Sequence, residues 1–211
     1  MAAAQTSTEY PARLEIDYPE SLDRLTTFFR IIWLIPIWFV IALVGGGFGA
    51  YGADNLAFVY ASGGGVLFGG PLVMILFRQK YPSWWFDWSL ELTRFTTRVG
   101  VYAALLTDKY PSTDETQSVH LDLDYPNVEE DLNRWLPLVK WFLLIPHYLV
   151  LAVLGIVAFF AVVIAWFAIL FTGVYPRGIF DFIVGVTRWW LRVQAYGFLL
   201  ITDRYPPFGL E

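Results

Sequence analysis

Two apolar runs constrain this chain more than anything else in it. From Ile31 to Phe77 there is no Lys or Arg and a single acid, Asp54; from Trp141 to Pro176 there is no charged residue at all, only His147. Runs of this length are expected to enter or cross a lipid bilayer. Composition agrees: charged residues make up 16% of the 211, where a soluble domain carries about 25%. An integral membrane protein is therefore predicted. The N-terminal stretch "MAAAQTSTEYPAR" has no basic region leading straight into an apolar one, so the first run reads as a retained anchor and not a cleaved signal. With no cysteine, disulfides, thiolate metal sites and lipidated cysteines are excluded.

The chain also repeats itself. "LEIDYP" (14–19) returns as "LDLDYP" (121–126), and "LDRLTTFFRIIWLIP" (22–36) as "LNRWLPLVKWFLLIP" (132–146). This aligns Arg24 with Arg134, Arg30 with Lys140 and Pro36 with Pro146. "YPSWWFDW" (81–88) aligns with "YPRGIFDF" (175–182), and "LLTDKYP" (105–111) with "LLITDRYP" (199–206). Collinear matches over nearly the whole length indicate a tandem duplication.

The ending "LFTGVYPRGIFDFIVGVTRWWLRVQAYGFLLITDRYPPF" resembles the bacterial membrane proteins grouped as domain-of-unknown-function family 4389. The resemblance implies a bacterial membrane protein and brings with it no activity or catalytic residue. Where the second copy has "TGVYPRGI" the first has "RQKYPSWW", so the first copy is the more diverged half.

The predicted fold is an all-α integral membrane protein of two repeats. Each repeat has a short strand, a transmembrane helical hairpin and an interfacial amphipathic helix. Residues 1–11 are read as a disordered tail, 12–111 as repeat 1, 112–118 as a linker and 119–207 as repeat 2. Residues 12–18 and 119–125 alternate apolar and polar, as half-exposed strands do, and can pair into one small cytoplasmic ladder. Repeat 1 carries its hairpin over about 28–77, with "YGADN" as the turn, and an amphipathic helix over about 84–106. In repeat 2 the run over 137–173 would reach roughly 50 Å as one helix, against a hydrocarbon core of about 30 Å. A compact hairpin turning near Gly155 is therefore expected there, followed by an amphipathic helix over about 178–201.

Sidedness follows from the basic residues. All 14 Lys and Arg fall in 13–30, 78–140 or 177–204, and none at the hairpin tips. Two hairpins place those segments on one side, which the positive-inside rule makes the cytoplasm of a bacterial inner membrane, with both termini cytoplasmic. Two like-oriented repeats would be related by an axis along the membrane normal.

The amphipathic helices hold the candidate site. Asp181, Gly185, Arg188, Arg192 and Tyr196 share one helical face, and Asp87, Glu91, Arg94, Arg98 and Tyr102 repeat it in the first copy. Three roles suit the arginines. They can snorkel to head groups, pair internally with Asp87 or Asp181, or form a basic site for anionic lipid head groups or an acidic partner. His147 reads as a packed or interface histidine in preference to a proton relay, and His120 has no second ligand near it in sequence. Asp54 reads as a turn residue, and the recurring Tyr-Pro pairs as element boundaries.

No nucleophile–base pair, paired carboxylates or metal cluster stands out, so an enzyme, a cofactor and a nucleic-acid partner are not expected. The expected function is structural or accessory: a membrane protein binding lipids and partner subunits, or a homo-oligomer, through its cytoplasmic helices. The alternative is a small channel or transporter built from parallel repeats, for which Tyr60, Ser62, His147 and Tyr148 supply a thin polar lining.

Overall fold

The structure, a computed structural model, describes residues 10–44, 69–113 and 117–211. The tip of the first apolar run, with Asp54, Tyr60, Ser62 and "YGADN", lies outside them, as do residues 1–9 and 114–116. The described chain is mostly helical, with one two-stranded sheet. In order come β1 (Ala12–Ile16), α1 (Arg24–Phe28), α2 (Arg30–Val44), α3 (Gly69–Arg78), α4 (Ser83–Ala103) and β2 (Val119–Leu123). They are followed by α5 (Val128–Asp131), a 3-10 turn (Leu136–Leu138), α6 (Lys140–Leu143), α7 (Ile145–Thr172) and α8 (Arg177–Gly197).

The two predicted strands do pair. β1 and β2 run antiparallel with Leu14 opposite Leu121, and their alternation leaves one face apolar. Ala12, Leu14, Val119, Leu121 and Leu123 are buried, while Glu15, Asp17, His120 and Asp122 point outward into solvent. A lone two-stranded ribbon is marginal in water and needs an apolar partner. α4 lies along β2 and α8 along β1.

α8 is an inner helix. Its Phe180 meets Tyr18 (ring centroids 4.9 Å apart) and its Arg188 reaches Leu14, so it tracks β1 along its length. About 140° around its circumference, Val186, Trp189, Val193 and Tyr196 meet Leu144, Tyr148, Leu151 and Leu154. The expected interfacial helix, with aromatics in lipid, is corrected here. Both faces of α8 have protein partners, because the Leu14 carbonyl takes Arg188 and α7 takes Trp189 and Tyr196.

The hairpin expected over 137–173 is also corrected. Ile145–Thr172 is one 28-residue helix, and Gly155 lies unbroken within it. A turn at mid-depth would strand backbone polar groups, and "VLGIVAF" offers no turn residue besides that glycine. One glycine in a helix costs only about 1 kcal/mol, so continuing is cheaper than turning. The helix stops at Gly173, whose φ of +77° is the left-handed cap that glycine adopts without strain. α7 is the one described helix long and apolar enough to cross a membrane. The pair of crossings expected over 137–173 is therefore not present.

The layers are thus sheet, then α4 and α8, then α7. Only 11% of the apolar window of α7 is buried, so most of the helix faces outward from the chain.

Candidate functional site

The two "TD" motifs, at 107–108 and 202–203, each meet a buried cation. Lys140, fully buried, places Nζ 2.7 Å from Oδ1 of Asp203 and donates to the carbonyl of Thr202 at 2.7 Å. The ammonium also sits 4.6 Å from the centre of the Tyr196 ring. Arg30 repeats each contact: Nη2 to Asp108 at 2.6 Å, Nη1 to the Thr107 carbonyl at 2.9 Å, and the guanidinium 4.0 Å above Tyr102. The second carboxylate oxygens accept backbone N–H groups, of Asn133 on Asp203 at 2.5 Å and of Asp23 on Asp108 at 2.6 Å. Burial pushes the Lys140 ammonium below the ordinary lysine range, and Asp203 pulls it back. Removing either partner would leave a buried charge uncompensated, at a cost of about 3–5 kcal/mol.

Sequence reasoning aligned Arg30 with Lys140 and the two "TD" motifs without joining them. A usable signal was there: a cation at the foot of each apolar run and an acid in each "TD" motif. A buried cation demands such an acid.

The four arginines of the predicted site are placed differently. Arg94 Nε donates to the Leu121 carbonyl at 2.9 Å, and its two Nη atoms meet Glu91 (2.6 Å) and Asp122 (2.9 Å). Arg188 Nε donates to the Leu14 carbonyl at 3.1 Å. Arg98 donates to the Ser112 carbonyl at 2.6 Å and Arg192 to the Glu211 carbonyl. Asp87 and Asp181 are exposed, and among the described residues no ion pair reaches either. Tyr102 and Tyr196 are buried in the cation clusters and do not join the arginines at a surface. Gly185 has its own reason: a Cβ there would lie 2.6 Å from the Leu210 carbonyl oxygen.

Arg188 and Arg192 do converge, with Arg13 and His120 and with the acids Glu15, Asp122 and Glu211, on a cleft of about 480 Å³ at the edge of the sheet. Burial and the neighbouring Arg188 charge both disfavour the ionised form of Arg192. An anion in the cleft would relieve that repulsion.

His147 is a packed histidine. It is fully buried, accepts from Trp189 Nε1 through Nδ1 at 2.9 Å and stacks on Phe208 at 4.0 Å. His120 Nε2 lies 3.3 Å from Asp17 on the exposed sheet face, and Arg13 pairs with Asp124 at 2.6 Å beside it.

Residues 135–209 match the family model described as Domain of unknown function (DUF4389). The matched stretch takes in Lys140, α7, α8 and Asp203. No curated protein and no solved structure matches the chain.

Proposed function

We propose that this chain is a non-enzymatic accessory protein of the bacterial inner membrane, a tandem pair of one unit. Lipid is held on its apolar helical side and an acidic partner subunit at the arginine cleft. The observation that carries this reading is the separation of the two sides. Leu149, Val153, Ile156, Phe160 and Phe171 are exposed on α7, and Arg13, Glu15, Asp17 and Asp122 on the sheet two layers away. Monomeric soluble proteins seldom expose an apolar strip of this length. The body bearing all 14 Lys and Arg would lie on the cytoplasmic side.

The duplication is supported by contacts that occur in aligned pairs and cross between copies. Arg94 of the first copy bonds Leu121 of the second, and Arg188 of the second bonds Leu14 of the first. Tyr81 donates to the Leu199 carbonyl at 2.8 Å and Tyr175 to that of Ala104 at 3.2 Å. Tyr18 and Tyr125 likewise donate to the carbonyls of Tyr175 and Tyr81. Even the left-handed residues match, Leu105 at φ 66° and Leu200 at φ 56°.

The test is extraction from native membranes in mild detergent, with co-purifying lipids and proteins identified. Recovery in the aqueous fraction as a monodisperse chain without detergent would sink the reading.

A further inference from the structure

We propose that α7 does not cross the bilayer but lies in its plane, with its outer face sunk into one leaflet. This rests on the membrane reading above and specifies its geometry. Three observations carry it.

The first is the division of α7 into two faces along its whole length. His147, Leu151, Ala165 and Ile169 are buried, with Leu154 and Ala158 packed between them, a spacing of three and four that keeps all six on one side. Leu149, Val153, Phe160, Ile164 and Phe171 are at least 60% exposed and lie on the opposite side. The helix is therefore backed by protein from end to end and open to its surroundings from end to end. It has no free middle that a bilayer could surround.

The second is what stands behind it. α7 runs antiparallel along α8, with Leu144 at Gly197 and with Leu151 and Leu154 packed in one cluster with Trp189 and Val186, and α8 runs flat along β1. The outer face of the sheet carries Arg13, Glu15, Asp17, His120, Asp122 and Asp124, roughly 20 Å from the axis of α7 at about 10 Å per layer. With α7 perpendicular to the membrane, those six side chains would sit at hydrocarbon depth, where ionised groups are strongly disfavoured. With α7 in the plane, all six face water and the apolar strip of α7 meets lipid along its length, as for an interfacial helix.

The third is length. Twenty-eight residues span about 42 Å, well beyond a hydrocarbon core of about 30 Å. Standing upright, the helix would carry its exposed apolar end residues Ile145 and Phe171 out of the hydrocarbon core and into the head-group layers. An in-plane helix has no length to match.

The chain contains no cysteine, so single labelling sites can be introduced cleanly. Leu149→Cys, Val153→Cys, Phe160→Cys, Ile164→Cys and Phe171→Cys, each on the full chain, would carry a nitroxide in phosphatidylethanolamine–phosphatidylglycerol vesicles. Depth would be read from relaxation by oxygen against a water-soluble nickel chelate. All five positions are exposed, so the labels leave the interior of the fold untouched. The in-plane geometry gives five depths equal to within about 5 Å in one leaflet. A profile deepest at Phe160 and shallow at both Leu149 and Phe171 overturns the in-plane placement and leaves the membrane reading standing. Labels that meet only water, or only each other across a chain–chain contact, overturn both.

Discussion

Arg188 and Leu14 are 174 residues apart in the chain and joined by one hydrogen bond, guanidinium Nε to carbonyl, of 3.1 Å. The bond from Arg94 to Leu121 is 2.9 Å, so α4 is fastened to β2 and α8 to β1. Hydrogen bonds to charged groups contribute about 1.5–3 kcal/mol. Arg188→Gln and Arg94→Gln should each lose stability of that order in detergent, by thermal unfolding. Arg188→Lys should recover little, because an ammonium does not reproduce the planar fork. If stability is unchanged and only a co-purifying partner is lost, Arg188 belongs to the cleft and not to the scaffold.

Alkaline pH should weaken the fold through two tyrosines. Burial raises the phenol pKa values of Tyr81 and Tyr175 far above the ordinary value of about 10. The unfolded chain sheds these protons near pH 10 while the folded chain keeps them. Their contribution is therefore complete below pH 10 and falls as pH rises toward the folded pKa, by about 1.4 kcal/mol per pH unit for each proton. Tyr81→Phe should lower that slope by one proton. A slope unchanged between the two proteins above pH 10 would contradict the burial of this phenol.

The cation clusters predict an exchange. Lys140→Met leaves Asp203 charged and unpaired, and should cost about 3–5 kcal/mol or prevent accumulation in the membrane. Lys140→Arg should cost far less, since Arg30 occupies the matching place against Asp108. Equal loss for the two variants, measured by detergent-phase unfolding, would mean that the ion pair with Asp203 is not what holds this corner.

Two glycines separate a continuous helix from a turn. A Cβ at Gly155 meets nothing within 4 Å, so Gly155→Ala should stabilise α7 by about 0.5–1 kcal/mol. Gly185→Ala should instead destabilise, because the Leu210 carbonyl carbon lies 3.3 Å and its Cβ 2.7 Å from the added methyl. A lower melting temperature for Gly155→Ala would refute the open surroundings of α7 at that point, and a higher one for Gly185→Ala the close approach of Leu210 to α8.

The ladder was legible because its signal is local: alternation over five residues, given twice, fixes both the strands and the buried face. The second apolar run misled because length alone was weighed against the thickness of a bilayer, which assumes the helix stands upright in it. Hydrophobicity records that a surface avoids water and says nothing about its angle. The arginines show the same gap. Their shared face was visible in the spacing, but whether that face meets phosphate or a peptide carbonyl depends on which strand lies beneath it. Asp108 and Asp203 were overlooked because their partners, Arg30 and Lys140, are 78 and 63 positions earlier, and charge pairing across such distances leaves no periodic trace.

The crossed fastening has a consequence for the timing of biosynthesis. Leu14 and Tyr18 leave the ribosome long before Arg188 and Tyr175, the residues that complete their hydrogen bonds. At about 5–20 residues per second, the interval is roughly 10–35 s. For about the first 5–20 s β1 has no β2 to pair with, and until α8 emerges its apolar side stays open to any neighbour. Nascent chains on one polysome offer one another the same strand, so whatever receives α2 as it emerges also has to keep sibling chains apart.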